Sequence, residues 1–531
     1  MDRTAYHISL LLLCILVMQE VSLCQKNFLK QYSLQNDSIS SLPPSNSVSQ
    51  IVVQGASLWI GSGKGIAKST NGGRSWVSYR SDPEFANDGI FALTIKDSLI
   101  WVSTGYDKDI GEASVQTGSG YTFSIDGGDH WTHLPQTLDG RGDSILTPPY
   151  GINDSIWILP VVVPEQNVTF DISLSPGTVW ITSWASGLRK SIDSGRTWQR
   201  IPLPPADRNT LSPSDTLWTY APNDTLKQHR IFLRIDPRPS NPYANNYLAF
   251  AVHAIDNDTV WCGTAGGVNK STDGGQSWVK FNHQNQVAGI LGNWVIAIDH
   301  QKLSGKNRIW TTNWKAEGAD EQYGVSYTDD GGRLWTNLLH GIKAYDFAFK
   351  DSIAYIATDE GIYRTADGGV SFIKVSSFTD ADSRQIVASS QVFSVNVLDD
   401  TVFVGTGDGI ARTIDNAENQ FGASWKVYRS YQAVGNSHSS YAYPNPFAPN
   451  FGPVRIHYAT SASSTVSIDI FDFGMNRVRT LIHGASRNTG EQDELWEGRN
   501  DEGKAVANGV YFYRIKIDSD EPLFGKILVL Q

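Results

Sequence analysis

Ser271-Thr272-Asp273-Gly274-Gly275-Gln276-Ser277-Trp278 is one octapeptide of a set that recurs along the chain. Ser69 to Trp76, Ser124 to Trp131, Ser191 to Trp198, Thr328 to Trp335 and Thr365 to Phe372 follow the same pattern, Ser/Thr-x-Asp-x-Gly-x-x-Trp, with Asn71 for the acid in the first. A seventh copy starts at Thr413, carries Asp415 and reaches its aromatic only at Trp425, after an insertion. The copies stand 37 to 80 residues apart, and self-similarity on that scale marks a repeat architecture. A short Asp or Ser side chain accepts hydrogen bonds from nearby backbone N–H groups and so closes a turn. Glycine supplies the positive φ such a turn often needs. Asp126, Asp193, Asp273, Asp330, Asp367 and Asp415 are therefore expected to build turns, not to catalyse. Trp76, Trp131, Trp198, Trp278, Trp335 and Trp425 are expected to open the next strand and bury a large apolar surface.

A second repeat precedes each octapeptide. It is an apolar strand with a central aromatic: Leu58-Trp59-Ile60, Ile100-Trp101-Val102, Val179-Trp180-Ile181, Val260-Trp261-Cys262, Ile309-Trp310-Thr311, Ala354-Tyr355-Ile356 and Val402-Phe403-Val404. Most copies then pass a Gly-rich bend into a strand that ends at the octapeptide. Four strands per unit and seven units predict an all-β fold, a seven-bladed β-propeller. The run Ile156-Trp-Ile-Leu is strand-like and leaves room for an eighth, degenerate blade.

The octapeptide resembles the Asp-box, or BNR repeat, of sialidases, sortilin-type receptors, xyloglucan hydrolases and photosystem II assembly factors. The resemblance implies a propeller and not an activity. Sialidases carry an early Arg-Ile-Pro. Here Arg200-Ile201-Pro202 follows the third box instead of preceding the first, so it reads as a strand end.

Beyond Trp425 the pattern changes. Residues 434–441 read as a linker between a propeller over 25–433 and a different module over 442–531. Tyr443-Pro-Asn-Pro-Phe447, the turn Trp496-Glu-Gly-Arg-Asn-Asp-Glu-Gly503 and the strand Asn508-Gly-Val-Tyr-Phe-Tyr-Arg514 predict a small β-sandwich. This segment resembles the FlgD-type Ig-like module that type IX secretion uses as a C-terminal sorting domain. The resemblance implies the type IX machinery as a partner, and a destination at the cell surface or outside the cell.

The N-terminus fits that route. Ile8 to Met18 is an apolar run of signal-peptide length, and Ser22-Leu23-Cys24 is a tolerable cleavage site, which makes 1–24 a signal peptide. Cys24 also stands where a lipidated cysteine would, although Leu23 is bulky there. No later stretch is long and apolar enough to span a bilayer.

Composition narrows the function. The 531 residues carry a net charge of -11 and no basic run, which argues against nucleic acid as a partner. No zinc-type cysteine cluster, phosphate-cradling loop or Ser/His/Asp arrangement is present, and no metal ligands are assigned. Arg141-Gly142-Asp143 spells an integrin-type tripeptide that chance also supplies. In a propeller, loops build the ligand face. The octapeptide turns occupy one rim, so the bends between second and third strands share the other. Those bends hold Lys64, Tyr106, Asp107, Asp109, Glu112, Trp184, Trp314, Glu317, Asp320, Glu321, Tyr323, Asp359, Glu360 and Asp408. Tyr106, Trp184, Trp314 and Tyr323, with Asp107, Asp109, Glu360 and Asp408, are candidate ligand contacts. Glu317, Asp320 and Asp359 are candidates for the carboxylate pair of a glycoside hydrolase, which needs two carboxyls roughly 5–9.5 Å apart. Solvated surface acids are the plain alternative, and clustered oxygens would also suit calcium. The connection Pro202 to Asn246 is expected to lie over one face as a lid or docking loop. Taken together, the residues favour binding of an extracellular protein or polysaccharide. A polysaccharide hydrolase and an assembly or adhesion factor are the alternatives.

Overall fold

The computed structural model describes residues 43–79, 88–110, 113–140, 149–152, 157–158, 160–215, 232–233, 242–316, 318–382, 385–387, 389–429 and 440–530. The signal-peptide stretch, Arg141 to Asp143 and Glu317 lie outside them. The chain divides into Met1–Ile39 and Ser40–Gln531, and the described residues all belong to the second unit.

That unit is nearly all β. Seven antiparallel sheets follow one another, each with four consecutive strands paired in chain order. Their first strands are Val48–Gln54, Gly89–Lys96, Thr169–Ser175, Ala249–Ala254, Trp294–Leu303, Ala344–Lys350 and Val392–Leu398. The fourth sheet gains a short outer strand, Thr210–Leu211, beside Trp278–Phe281. Trp157–Ile158 pairs in parallel with Phe232–Leu233 and forms only a two-stranded sheet.

Side chains tie each sheet to the next. Gln50 Nε2 donates to Phe91 O (3.3 Å), Ser103 Oγ to Thr169 O (2.8 Å), Val252 N to Asp171 Oδ2 (2.8 Å) and Lys270 Nζ to Gly331 O (3.4 Å). Gln301 Nε2 donates to Asp351 O (2.9 Å) and Val395 N to Asp346 Oδ2 (3.0 Å). The last sheet returns to the first through Asn396 Nδ2 and Ile51 O (3.1 Å), which closes the ring of a β-propeller.

The octapeptides explain how sheets stack. In the second, Ser124 Oγ donates to Asp126 Oδ1 (2.7 Å) and accepts from Gly128 N (2.9 Å). Asp126 Oδ1 then accepts from His130 N (2.9 Å). Asp193, Asp273, Asp330 and Asp367 likewise accept from a backbone N–H four residues on, at 2.8 to 3.1 Å. The His130 N–H holds the Asp126 carboxyl well below the usual range, and the Thr197 hydroxyl brings Asp193 down to about 2. The turn also meets its neighbour. Gly128 has φ +100, and a Cβ there would stand 2.7 Å from the Trp59 ring of the preceding sheet. Lys68 reaches over that ring (4.9 Å to its centre) and donates to Gly127 O (3.3 Å). Gly195 and Gly275 meet Trp101 and Trp180 in the same way; these rings, with Trp261 and Trp310, are buried, and truncating such a ring costs about 3–5 kcal/mol.

The seventh copy departs from the expectation. Thr413 Oγ1 donates to Ser424 O (2.8 Å), and the Asp415 carboxylate turns away to the Tyr355 hydroxyl and to Arg364 Nε (2.5 Å). The insertion before Trp425 removes the N–H groups that Asp415 would have met, so it ties two sheets together instead of closing its own turn.

Tyr441–Tyr443, Val454–Thr460 and Gly490–Trp496 make a three-stranded sheet. Ser464–Phe471, Arg477–Arg487, Gly509–Ile517 and Leu523–Val529 make a four-stranded one. Alternate residues of both, among them Ile456, Tyr458, Ile468, Trp496, Tyr513 and Ile527, bury into one shared core. Arg455, 2% exposed, leaves this module to pair with Asp408 of the last propeller sheet, which Arg429 also engages (3.2 Å).

Candidate functional site

Each first strand carries a register break just after its start, and the residue at the break is Ser49, Phe91, Phe170, Phe250, Tyr345 or Phe393 in six sheets. In the fifth sheet the break spans Ile296 and Ala297. A bulge re-aims its side chain, and here the aromatics meet one another. Phe91 stands 6.3 Å from Phe170, Phe170 5.4 Å from Phe250 and Phe250 5.2 Å from Trp294. Trp294 stands 6.1 Å from Trp314, Trp314 5.6 Å from Tyr345 and Tyr345 5.9 Å from Phe393. These are ring-centre distances of edge-on and tilted contacts, the arrangement aromatic quadrupoles favour. The result is an aromatic belt through six sheets, half-buried except at Phe250, which is buried. Phe170, Ile296, Tyr345 and Phe393 also line a central cavity of about 410 Å³. The antiparallel order puts the starts of the first strands and the bends between second and third strands at the same end. The belt thus rims the cavity on the face opposite the octapeptide turns.

The belt takes in one of the sequence candidates and touches two more. Trp314 is a member, Trp184 contacts both Phe250 (5.6 Å) and Trp294 (6.0 Å), and Tyr323 lies 6.3 Å from Trp314. Lys343 sits over the rings of Trp314 (5.5 Å) and Tyr323 (4.9 Å). Tyr106, Asp107 and Asp109 stand together on a long exposed hairpin, Leu99–Ile110 with Ala113–Ser124. The acids are spread among separate partners. Glu360 pairs with Lys374 (2.6 Å) and Asp359 accepts from Lys343 N (3.2 Å). Asp320 is exposed. Glu321, 4% exposed, accepts from five N–H groups of its own loop and the neighbouring strand end. Asp408 holds Arg429 and Arg455. Among the described residues no three His, Cys, Asp or Glu side chains come together to hold a metal ion.

Sequence reasoning missed the bulge aromatics, although a signal existed. Phe91, Phe170, Tyr345 and Phe393 each precede the central aromatic of the next strand by ten residues. It also missed the charges inside the cavity. Asp171, Asp299 and Asp346 line it with His253. Protein walls surround their carboxyls although the channel leaves part of each side chain open. Burial pushes Asp171 up to about 7, Asp299 to about 6 and Asp346 to about 8, and the Asp299 charge adds to the other two. Burial and the nearby His300 lower His253 to about 4.

These shifts fix a pH dependence. A free Asp titrates near pH ~3.9, so between about pH 4 and 8 these three carboxyls keep protons in the folded chain that the unfolded chain has released, while His253 opposes them only below pH ~6.5. The contribution to stability is complete below the unfolded value and is lost as pH rises through the folded one. The turn aspartates are ionised in both states across that window and contribute nothing to the slope. We expect the Tm to fall by a few degrees between pH 6 and pH 9, and Asp346→Asn to flatten that fall. Equal slopes in the two proteins would contradict the assignment.

No family model and no curated protein matches the sequence. Solved structures overlap it only loosely. YCF48 bound to D1 peptide is 13% identical, with 72% of this chain and 96% of that one covered at a TM-score of 0.41. PorZ, a surface component of the type IX secretion system of Porphyromonas gingivalis, is 13% identical over 91% of this chain and 75% of its own, at 0.29. The WD40 β-propeller domain of Doa1 is 9% identical over 73% and 98%, at 0.37. Overlaps of this quality say nothing about ligand or partner, and the site rests on the chain's own geometry. No helix among the described residues is long and apolar enough to cross a membrane.

Proposed function

We propose that this chain is a secreted or cell-surface propeller of seven blades that binds an extracellular protein or polysaccharide at the aromatic mouth of its central channel. The continuous belt from Phe91 to Phe393 carries the reading. Half-buried rings offer large contact area at low entropic cost, and binding energy concentrates on such anchors. In this reading the octapeptides are Asp-boxes that stiffen the far rim, and the C-terminal module is an Ig-like unit recognised by type IX export. The apolar N-terminal run and the YPNPF, W-x-G and GVYFYR segments support that route. A hydrolase acting through Glu317, Asp320 or Asp359 draws less support, because the described two of these offer no shared cleft: Asp320 is exposed and Asp359 accepts from Lys343 N (3.2 Å).

The test immobilises residues 25–531 and challenges them with a polysaccharide panel and, separately, with a random decapeptide library. Saturable binding in one panel is expected, weakened about 30-fold in Trp294→Ala, which corresponds to a hot spot of ~2 kcal/mol. Trp184→Ala, at the end of a loop, provides a second variant should Trp294→Ala fold poorly. Silence in both panels, or unchanged affinity in both variants, would overturn the proposal.

A further inference from the structure

A second cavity, of about 190 Å³, opens on the same face between the fourth and fifth sheets. Its polar lining includes Asn245, Lys280, Asn282, Gln284, Asn293 and Glu321, and also Asn246, whose carboxamide is taken up by Pro204 O, Thr264 and Asn269. Glu321 is spent. It accepts from Asn293 N (3.1 Å) and Nδ2 (2.8 Å), Gln284 Nε2 (3.3 Å), Ala316 N (2.8 Å) and Gly318 N (3.2 Å). That network holds the loop and fixes the two carboxamides beside it.

The remaining groups are donors in excess. Lys280, 2% exposed, gives two N–H groups to Pro205 O (2.8 Å) and Ala206 O (3.1 Å) and keeps a third. Asn282 uses its Oδ1 for Gln284 N (3.0 Å) and Asn285 N (2.8 Å), while its Nδ2 has no partner among the described residues. The Asn245 carboxamide has none there either. The Lys280 and Glu321 charges offset each other, so the cavity as a whole is neutral. Ala265, also in the lining, packs in the cluster that holds Phe250, Trp184 and Trp294. The cavity therefore adjoins the aromatic belt.

Its volume equals about six waters at ~30 Å³ each, room for a single pyranose ring. Neutral carboxamides with spare donors, next to aromatic faces, suit a ligand whose ring carries many hydroxyl oxygens and whose C–H faces are apolar. We infer that this cavity is a glycan subsite that takes the terminal hexopyranose of a chain whose following residues lie on the belt. The inference rests on the mouth reading and names its ligand class.

The experiment titrates residues 25–531 with the methyl glycosides of glucose, galactose, mannose and N-acetylglucosamine, and with N-acetyl-triglycine amide as a peptide contrast. Saturation-transfer NMR and calorimetry read the binding. One or more glycosides should bind saturably, and Asn282→Asp should weaken that binding at least tenfold while still unfolding in one cooperative transition. This variant keeps the oxygen that accepts from Gln284 N and Asn285 N, and it replaces the free donor by a charged acceptor oxygen. Asn245→Ala should weaken binding as well. Indifference to all four glycosides, equal affinity in both variants, or saturation by the peptide alone would overturn the inference. A protein that ignores the glycosides but loses polymer or peptide binding in Trp294→Ala would keep the mouth and lose only this subsite.

Discussion

Gly128→Ala is expected to destabilise the propeller by about 3 kcal/mol, while Gly127→Ala next to it costs only about 1 kcal/mol. Both glycines have positive φ, +76 and +100, so both substitutions pay for a left-handed backbone. Only Gly128 faces another sheet. Its new Cβ would meet the Trp59 ring at 2.7 Å and the Tyr79 hydroxyl at 3.1 Å, whereas nothing lies within 4 Å of a Cβ at Gly127. Trp59 is itself stacked on Tyr79 (5.8 Å) and buried, so it has nowhere to retreat. Overpacking of that kind costs about 1–3 kcal/mol beyond the backbone term. Chemical denaturation of the two variants checks the difference. Equal losses would mean that the turn's own geometry, and not its contact with the preceding sheet, requires glycine.

Asp408→Ala is expected to cost about 3–5 kcal/mol at the junction between propeller and C-terminal module. Arg429 and Arg455 are almost wholly buried, and Asp408 is the carboxylate they share. Both also reach Ile386 O, a neutral acceptor that cannot offset two charges. Removing Asp408 leaves two uncompensated guanidinium groups in a poorly solvated place, and burying such charges is costly. The junction should therefore open before either module unfolds. Calorimetry should show one transition in the wild-type protein and two in the variant, with the additional one belonging to the C-terminal module. Asp408→Ala combined with Arg455→Met should recover only part of the loss, because Arg429 stays buried without the carboxylate it shared. A single, unshifted transition in Asp408→Ala would contradict the ion pair's role.

Much of the architecture was legible because it is written locally. Ser271, Asp273, Gly275 and Trp278 each bond to a group no more than four residues away, through a hydroxyl, a carboxylate, a backbone at positive φ and a ring. Such chemistry leaves a fixed spacing in the sequence. The same holds for the strand aromatics, whose apolar neighbours set the period. Asp415 shows the limit of that reading. Its spacing to Thr413 is right, but its destination depends on Arg364, fifty-one residues away.

The site was harder to read. Trp184, Trp314 and Tyr323 could be placed on this face because they stand in loops whose end of the sheet the strand order dictates. Phe91, Phe170, Phe250, Tyr345 and Phe393 were not, because a phenylalanine within a strand looks like core. Only the bulge turns it toward the mouth, and a bulge is a matter of pairing register that one strand does not reveal. Asp171 and Asp346 were missed for a related reason. Each looks like a polar position of an alternating strand, yet each accepts the backbone N–H of the next sheet. Glu321 was equally opaque, since its place at the centre of its own loop's hydrogen bonds depends on Asn293 and on backbone that folds back around it.

The central claim is that ligand sits on the aromatic mouth and not on the rim of octapeptide turns. A crystal structure of residues 25–531 with the ligand retained in the binding panels tests it most directly. The account predicts density against Trp184, Phe250 and Trp294, above the channel lined by Asp171 and Asp346. Density against the turns around Asp126, Asp273 or Asp330, with the mouth empty, would contradict it.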